Sequence, residues 1–290
     1  MNKSTKLIYI ASNEHSGSTL LELFLASHPG ISGLGETHML VDETLRRERL
    51  PSADTRICTC GKTINKCPLW SAFLDSVAGD GSGDFSVSYN NLLQLARSEF
   101  GEESILVDSS KYIAPLKKII SAEESHRLCG IEIFVIHLIK DVRCFATSMK
   151  WRYNLNSWQL FSKLRKWYRS NLEMEQFLSQ NAVPHIRIGY EELCFNPKRI
   201  LMLICDKIGA QFDEQMLDIR NASAHIGVGN PMRNHPVKRN QLIYDNRWFH
   251  ETTILLWYLL SPRIRRYNKK SVYQHLNANL ISRLFEPLKT

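Results

Sequence analysis

Apolar residues in this chain gather in short unbroken runs, each ending in a polar turn, and the runs alternate with longer stretches of helical period. Leu7 to Ala11 is the first run. The turn Ser12-Asn13-Glu14-His15-Ser16-Gly17-Ser18-Thr19 follows, and Leu20, Leu21, Leu23, Phe24 and Leu25 open a helix. Further strands are predicted at 105–108, 131–139 and 185–189, the first two running into Ser109-Ser110-Lys111 and Lys140-Asp141-Val142-Arg143. Between them lie a charged helix over Thr37–Arg49, a compact loop over Pro51–Cys67, a helix over Leu69–Val77 and a glycine-rich break at Gly79–Asp84. Tyr89–Phe100 is amphipathic, with Leu92, Leu93, Leu95 and Ala96 on one side. Trp158–Ser179 is a long helix whose Leu160, Leu164, Trp167, Leu172 and Phe177 read as core. Strands alternating with helices predict a parallel sheet flanked by helices, an α/β fold. No internal repeat is visible, and 290 residues suit one domain, with a cysteine-containing insertion near 50–70.

The first turn carries candidate chemistry. A strand, a tight glycine-containing turn and a helix N-terminus form a cradle for a phosphate, because backbone N–H groups point into the turn and the helix dipole favours negative charge. The segment does not match the nucleoside-triphosphatase version, G-x-x-x-x-G-K-[ST]. Ser12 or Asn13 stands where the first Gly would be, and Ser18 takes the place of the Lys. The loop is built for an anion, and transfer of a γ-phosphate with magnesium is poorly supported.

The turn, its helix, His28-Pro29 and then Gly35-Glu36 together resemble the sulfotransferases that use 3'-phosphoadenosine 5'-phosphosulfate (PAPS). The spacing is similar to that of the tyrosylprotein sulfotransferases and their bacterial relatives. The resemblance implies a P-loop-like α/β/α sandwich. It assigns His15, Ser16, Gly17, Ser18 and Thr19 to the 5'-phosphosulfate and Glu36 to the general base. One departure stands out, since the family carries Arg or Lys where this chain has His15. A second cassette resembles the family's 3'-phosphate site. Lys140 ends a strand, and Ser148 and Arg152 follow eight and twelve positions later, four apart on one helix face. Lys111 resembles the strand-end lysine that approaches the transferring sulfuryl group, and Tyr190, in Tyr190-Glu191-Glu192-Leu193, the tyrosine that contacts the nucleotide. Asn230 and Arg233 resemble a loop that closes over the cofactor. The implied reaction is in-line transfer to a hydroxyl or amine of a small metabolite, with no metal required. A P-loop kinase for small molecules and a non-catalytic PAP-binding relative are the alternatives.

Composition narrows the setting. The formal net charge is +8, part of it in Arg263, Arg265, Arg266, Lys269 and Lys270, a pattern that reads as a solvated helix face. No nucleic-acid motif accompanies it, and PAPS itself carries about four negative charges. The longest apolar run, Ile254–Leu260, is far short of the roughly 20 residues that span a bilayer. The expectation is a cytoplasmic enzyme of bacterial type without a membrane anchor, with a homodimer left open. Seven cysteines, an odd number, argue against a complete disulfide framework. Cys129, Cys144, Cys194 and Cys205 read as buried small hydrophobes. Cys58-Thr59-Cys60-Gly61 and Cys67-Pro68-Leu69-Trp70 form a knuckle-like insertion of a kind that recurs in bacterial sulfotransferase-like proteins. Three thiols lack an evident fourth ligand, although His38 could serve. The reading preferred here is a metal-free loop or a cysteine pair, ahead of zinc.

Overall fold

The computed structural model describes residues 4–45, 53–80, 83–128, 130–234 and 244–275. Cys129, the predicted charged helix beyond Leu45 and the centre of the glycine-rich break lie outside these residues. The described strands are β1 (Thr5–Ser12), β2 (Ile31–Gly35), β3 (Ile105–Lys111), β4 (Ile131–Ile139) and β5 (His185–Gly189). They form one parallel sheet in the order β2-β3-β1-β4-β5. β1 lies in the middle, in register with β4 from Thr5 opposite Ile131 to Ser12 opposite Leu138. Leu7 to Ala11 are all buried, which is why this strand reads as a continuous apolar run.

The two faces of β1 serve different layers. Leu7, Tyr9 and Ala11 join a core with α2 (Thr37–Leu45), α3 (Pro68–Asp80), α4 (Phe85–Phe100) and α5 (Ile113–Glu124). Ile8 and Ile10 join another with α1 (Ser18–Ala26), α8 (Tyr190–Phe195) and α9 (Pro197–Ile208). A third cluster joins α6 (Val142–Tyr153) and α7 (Ser157–Gln180) to the helices Thr252–Leu259 and Pro262–Val272. The stripe of α7 is core as expected, with Leu160, Leu164 and Trp167 buried. The basic residues of the helix Pro262–Val272 are exposed while Ile264 and Tyr267 are buried, so the charge lies on a solvated face. Among the described residues no helix is long and apolar enough to cross a membrane.

The connections from β1 run to one side of the sheet through β2 and β3, and then to the other through β4 and β5. The order therefore reverses between β1 and β4. In open α/β sheets such a reversal opens a crevice outside the carboxyl ends of the strands. The register also breaks at that end, between Tyr9 and Ala11 against β3 and between Gly33 and Gly35 against β3. Such irregularities re-aim side chains near functional sites.

Candidate functional site

The loop after β1 is shaped by its backbone. His15 and Gly17 both have positive φ, 57° and 90°, on either side of Ser16. Non-glycine residues seldom adopt this conformation, and it is kept where the surroundings enforce it. Gly17 is the N-cap of α1, so no side chain caps that helix and no acidic residue occupies its first turn. Its first N–H groups are left for another acceptor. The Ser16 hydroxyl is also buried, with no hydrogen-bond partner among the described residues. Gly17 has no room for a side chain, since a Cβ there would sit 2.3 Å from the Tyr190 ring. Ser18 and Thr19 are buried in the first turn of α1.

Lys140 reaches the same loop from the end of β4. Its ammonium donates to the His15 carbonyl at 3.4 Å and the Ser148 hydroxyl at 3.2 Å, and stands 4.8 Å above the Tyr190 ring. Arg152, one turn beyond Ser148 on α6, is exposed. The cassette's other arginine, Arg143, is committed elsewhere, donating twice to Asp141 at 2.9 and 2.7 Å and stacking on Trp248. Burial pushes the His15 imidazole below its usual range. Glu14 opposes this, and Lys111, Lys140 and Arg152 add to it. Three cations around one imidazole leave it neutral near pH 7 and mark a site short of negative charge.

On the other wall, β2 ends at Gly35 with φ 81°, and Glu36 follows, buried and ion-paired with Lys111. Lys111 itself has φ 68°, so both partners sit at kinks of the strand ends. Beneath them lies a layer that the periodic reading passed over. Glu22 is fully buried in α1 and accepts the Gly35 N–H and the Ser109 hydroxyl, each at 2.6 Å. Burial raises its carboxyl to about 8, so it is protonated at neutral pH. Asp108, also fully buried, accepts from Thr37 (2.5 Å), Tyr89 (2.7 Å) and the Ser110 N–H (2.8 Å). Burial raises this carboxyl too, against those hydrogen bonds. The local signal for Glu22 was a lone acid inside an apolar helical run, which calls for a partner.

The loop from Gly227 to Arg233 approaches the Glu36 wall. A Cβ on Gly229 would lie 3.4 Å from the Glu36 carboxylate and 3.6 Å from the Thr19 hydroxyl. Asn230 is exposed. Arg233 does not join Lys140. Its guanidinium donates to the carbonyls of Gly229 (2.7 Å) and Gly227 (3.1 Å), and its buried Nε has no partner among the described residues. Asp245 comes to Ser148 instead, at 3.5 Å.

His38 is not beside the cysteines. Its ring meets Tyr112 edge-on and its N–H donates to Ser110. The residue that the thiols surround is His225, and Cys58 and Cys67 are free rather than paired. His225 lies 158 positions from Cys67, with no local motif to reveal it. Cys144, Cys194 and Cys205 are buried as expected.

Comparison with solved structures assigns the fold. The sulfotransferase domain of the Synechococcus PCC 7002 olefin synthase superposes with a TM-score of 0.56 at 20% identity, over 90% of this chain and 96% of that one. The sulfotransferase domain of the curacin biosynthetic pathway aligns with a TM-score of 0.45 at 20% identity, over 88% and 98%. No protein-family model and no curated protein matches the chain. The fold is the sulfotransferase type of α/β sandwich.

Proposed function

We propose that residues 1–290 form a single PAPS-dependent sulfotransferase domain that moves a sulfuryl group to a hydroxyl or amine of a small-molecule acceptor. One observation carries this reading. The uncapped start of α1 with its orphaned Ser16 hydroxyl, the Glu36–Lys111 pair and the Lys140–Ser148 pair all meet at the carboxyl ends of the strands. The same features support a fit to the donor. The N–H groups of residues 15–19 suit its 5'-phosphosulfate, and Lys140, Ser148 and Arg152 suit its 3'-phosphate. Tyr190 borders both, and Asn230 and Arg233 belong to the loop that would close over it.

The donor supplies a sulfuryl group with a single negative charge, so cationic side chains can suffice where phosphoryl transfer uses magnesium. Glu36 accepts the proton of the acceptor's O–H or N–H as the new bond to sulfur forms. The bond from sulfur to the bridging oxygen breaks, and the charge left on the departing 5'-phosphate meets the loop amides, His15 and Lys111. Lys111 has a second task, holding the Glu36 side chain in place through their ion pair until the acceptor arrives. The reading implies a cytoplasmic enzyme with no nucleic-acid partner. To test it, the protein is incubated with sulfur-35-labelled PAPS and fractionated bacterial metabolites. Label on an organic product, lost in Glu36→Gln, is expected. Hydrolysis alone in every fraction, unchanged in the variant, would refute the assignment.

A further inference from the structure

Away from the strand ends, four residues from distant parts of the chain converge on one point. Cys58, Cys60 and Cys67 belong to the loop before α3, and His225 to the segment that runs beside β2. Their ligand atoms all lie within 4.8 Å of one another. The Cys58 and Cys67 sulfurs are 3.6 Å apart, and His225 Nδ1 is 3.7 Å from the first and 3.2 Å from the second. Bonds of about 2.3 Å to sulfur and 2.0 Å to nitrogen, arranged tetrahedrally, set edges of about 3.8 and 3.5 Å. The three separations are close to those edges.

We propose that Cys58, Cys60, Cys67 and His225 form a structural zinc site. Three thiolates and an imidazole in a tetrahedral set select this ion over harder cations. The surroundings are those of a metal site. His225 Nε2 faces Glu99 at 3.2 Å, the carboxylate–histidine arrangement that fixes a ligating imidazole. Backbone N–H groups of Cys60, Lys62 and Trp70 point at the sulfurs of Cys58, Cys60 and Cys67 in turn. Gly61, with φ 85°, closes the turn by donating to the Cys58 carbonyl at 2.9 Å. Cys60 is exposed and the other three ligands are buried, which gives the ion one open side for entry.

The site clips two segments together behind the Glu36 wall. The His225 N–H donates to Gly33 of β2 at 2.8 Å, and its carbonyl accepts from Trp70 of α3 at 2.6 Å. Thr59 bridges both neighbours of His225, donating to the Ala224 carbonyl and accepting from the Ile226 N–H. Ile226 backs Gly35, where a Cβ would meet it at 2.9 Å. Zinc would thus brace the strand end from which Glu36 projects, whatever donor or acceptor the crevice takes.

The test uses the full chain. Elemental analysis of protein purified without added metal is expected to return about one zinc per chain. Cobalt(II) exchanged into it should show sulfur-to-cobalt charge transfer and the intense d–d bands of tetrahedral coordination. Cys60→Ser changes an exposed side chain and should remove those bands while the protein stays folded. Glu99→Gln should weaken zinc 10- to 100-fold in competition with a chromophoric chelator. Absence of zinc, two missing thiols in a denatured count with no metal, or cobalt bands unchanged in Cys60→Ser would each overturn the proposal.

Discussion

The two walls of the crevice are held by opposite means. On the β1–β4 side, the loop Ser12–Thr19 takes its form from its own backbone, with left-handed turns at His15 and Gly17 and a helix start immediately after. On the β2–β3 side, Glu36 and Lys111 depend on groups far away in sequence: Glu22 under Gly35, Asp108 under Thr37, and the cysteine–histidine cluster behind Ile226. The first wall is thus local and the second is assembled by tertiary contacts; in the proposed function the first addresses an anion and the second a proton. Removing a group from the first should cost ligand affinity, whereas removing one from the second should cost turnover or stability.

The largest effect is expected on the second wall. Glu36→Gln should cut turnover by about 100-fold or more, the usual contribution of a positioned base, and leave PAP affinity nearly unchanged. Steady-state kinetics paired with calorimetry checks this. Loss of affinity with intact turnover would exchange the roles of the walls.

On the first wall, Lys140→Ala should cost about 2–4 kcal/mol in PAP binding, as for a lost charge-assisted contact in a partly buried site. Binding of adenosine 5'-phosphosulfate, which lacks the 3'-phosphate, should change far less. Equal losses for the two ligands would mean that Lys140 only props the His15 carbonyl.

A third prediction concerns Glu22. Its folded value, about 8, lies above the ordinary 4.5. Its stabilising contribution is therefore complete below about pH 4.5, falls as pH rises and is lost once pH passes about 8. Each unit of that window carries about 1.4 kcal/mol at most. Glu22→Gln can still accept from Gly35 and donate to Ser109, so it should flatten this part of the stability curve. Urea unfolding of wild type and variant between pH 5 and 8.5 gives the comparison, and parallel curves would show that Glu22 does not hold its proton.

Much of the first wall was legible in the chain because its parts are neighbours. A strand, a glycine turn and a helix could be read from Leu7 to Leu25, whereas Lys140, Ser148 and Arg152 were singled out by their resemblance to a family cassette, with helical spacing adding only that Ser148 and Arg152 share a face. The strand order followed less directly, since periodicity predicts strands but not which lie side by side. His225 could not be found at all. Nothing near it in sequence distinguishes it, and tertiary contacts such as the pairing of Gly33 with Ala224 and the Thr59 bridge carry it to the thiols. His38, closer in sequence, was the natural candidate and is turned toward Tyr112. Arg233 illustrates the same limit, with the motif visible but the guanidinium folded back on its own loop.

The smallest expected effect concerns His15, where the resemblance calls for a permanent cation. Burial and three neighbouring cations hold it neutral near pH 7 in the free protein. A bound phosphosulfate favours its protonated form, so binding takes up a proton, and affinity weakens as pH climbs through the value in the complex. His15→Arg should flatten that dependence and keep or raise activity. Superimposable pH profiles for wild type, His15→Ala and His15→Arg would make His15 a bystander.

The crevice at the carboxyl ends of the strands, between the two walls, is proposed to receive a nucleotide bearing both a 3'- and a 5'-phosphate. Isothermal titration with PAP, and separately with ATP and magnesium, tests it most directly. One PAP per chain is expected, weakened at least 30-fold in Lys140→Ala, with negligible heat from ATP and magnesium. Tight binding of ATP with magnesium and none of PAP would contradict it.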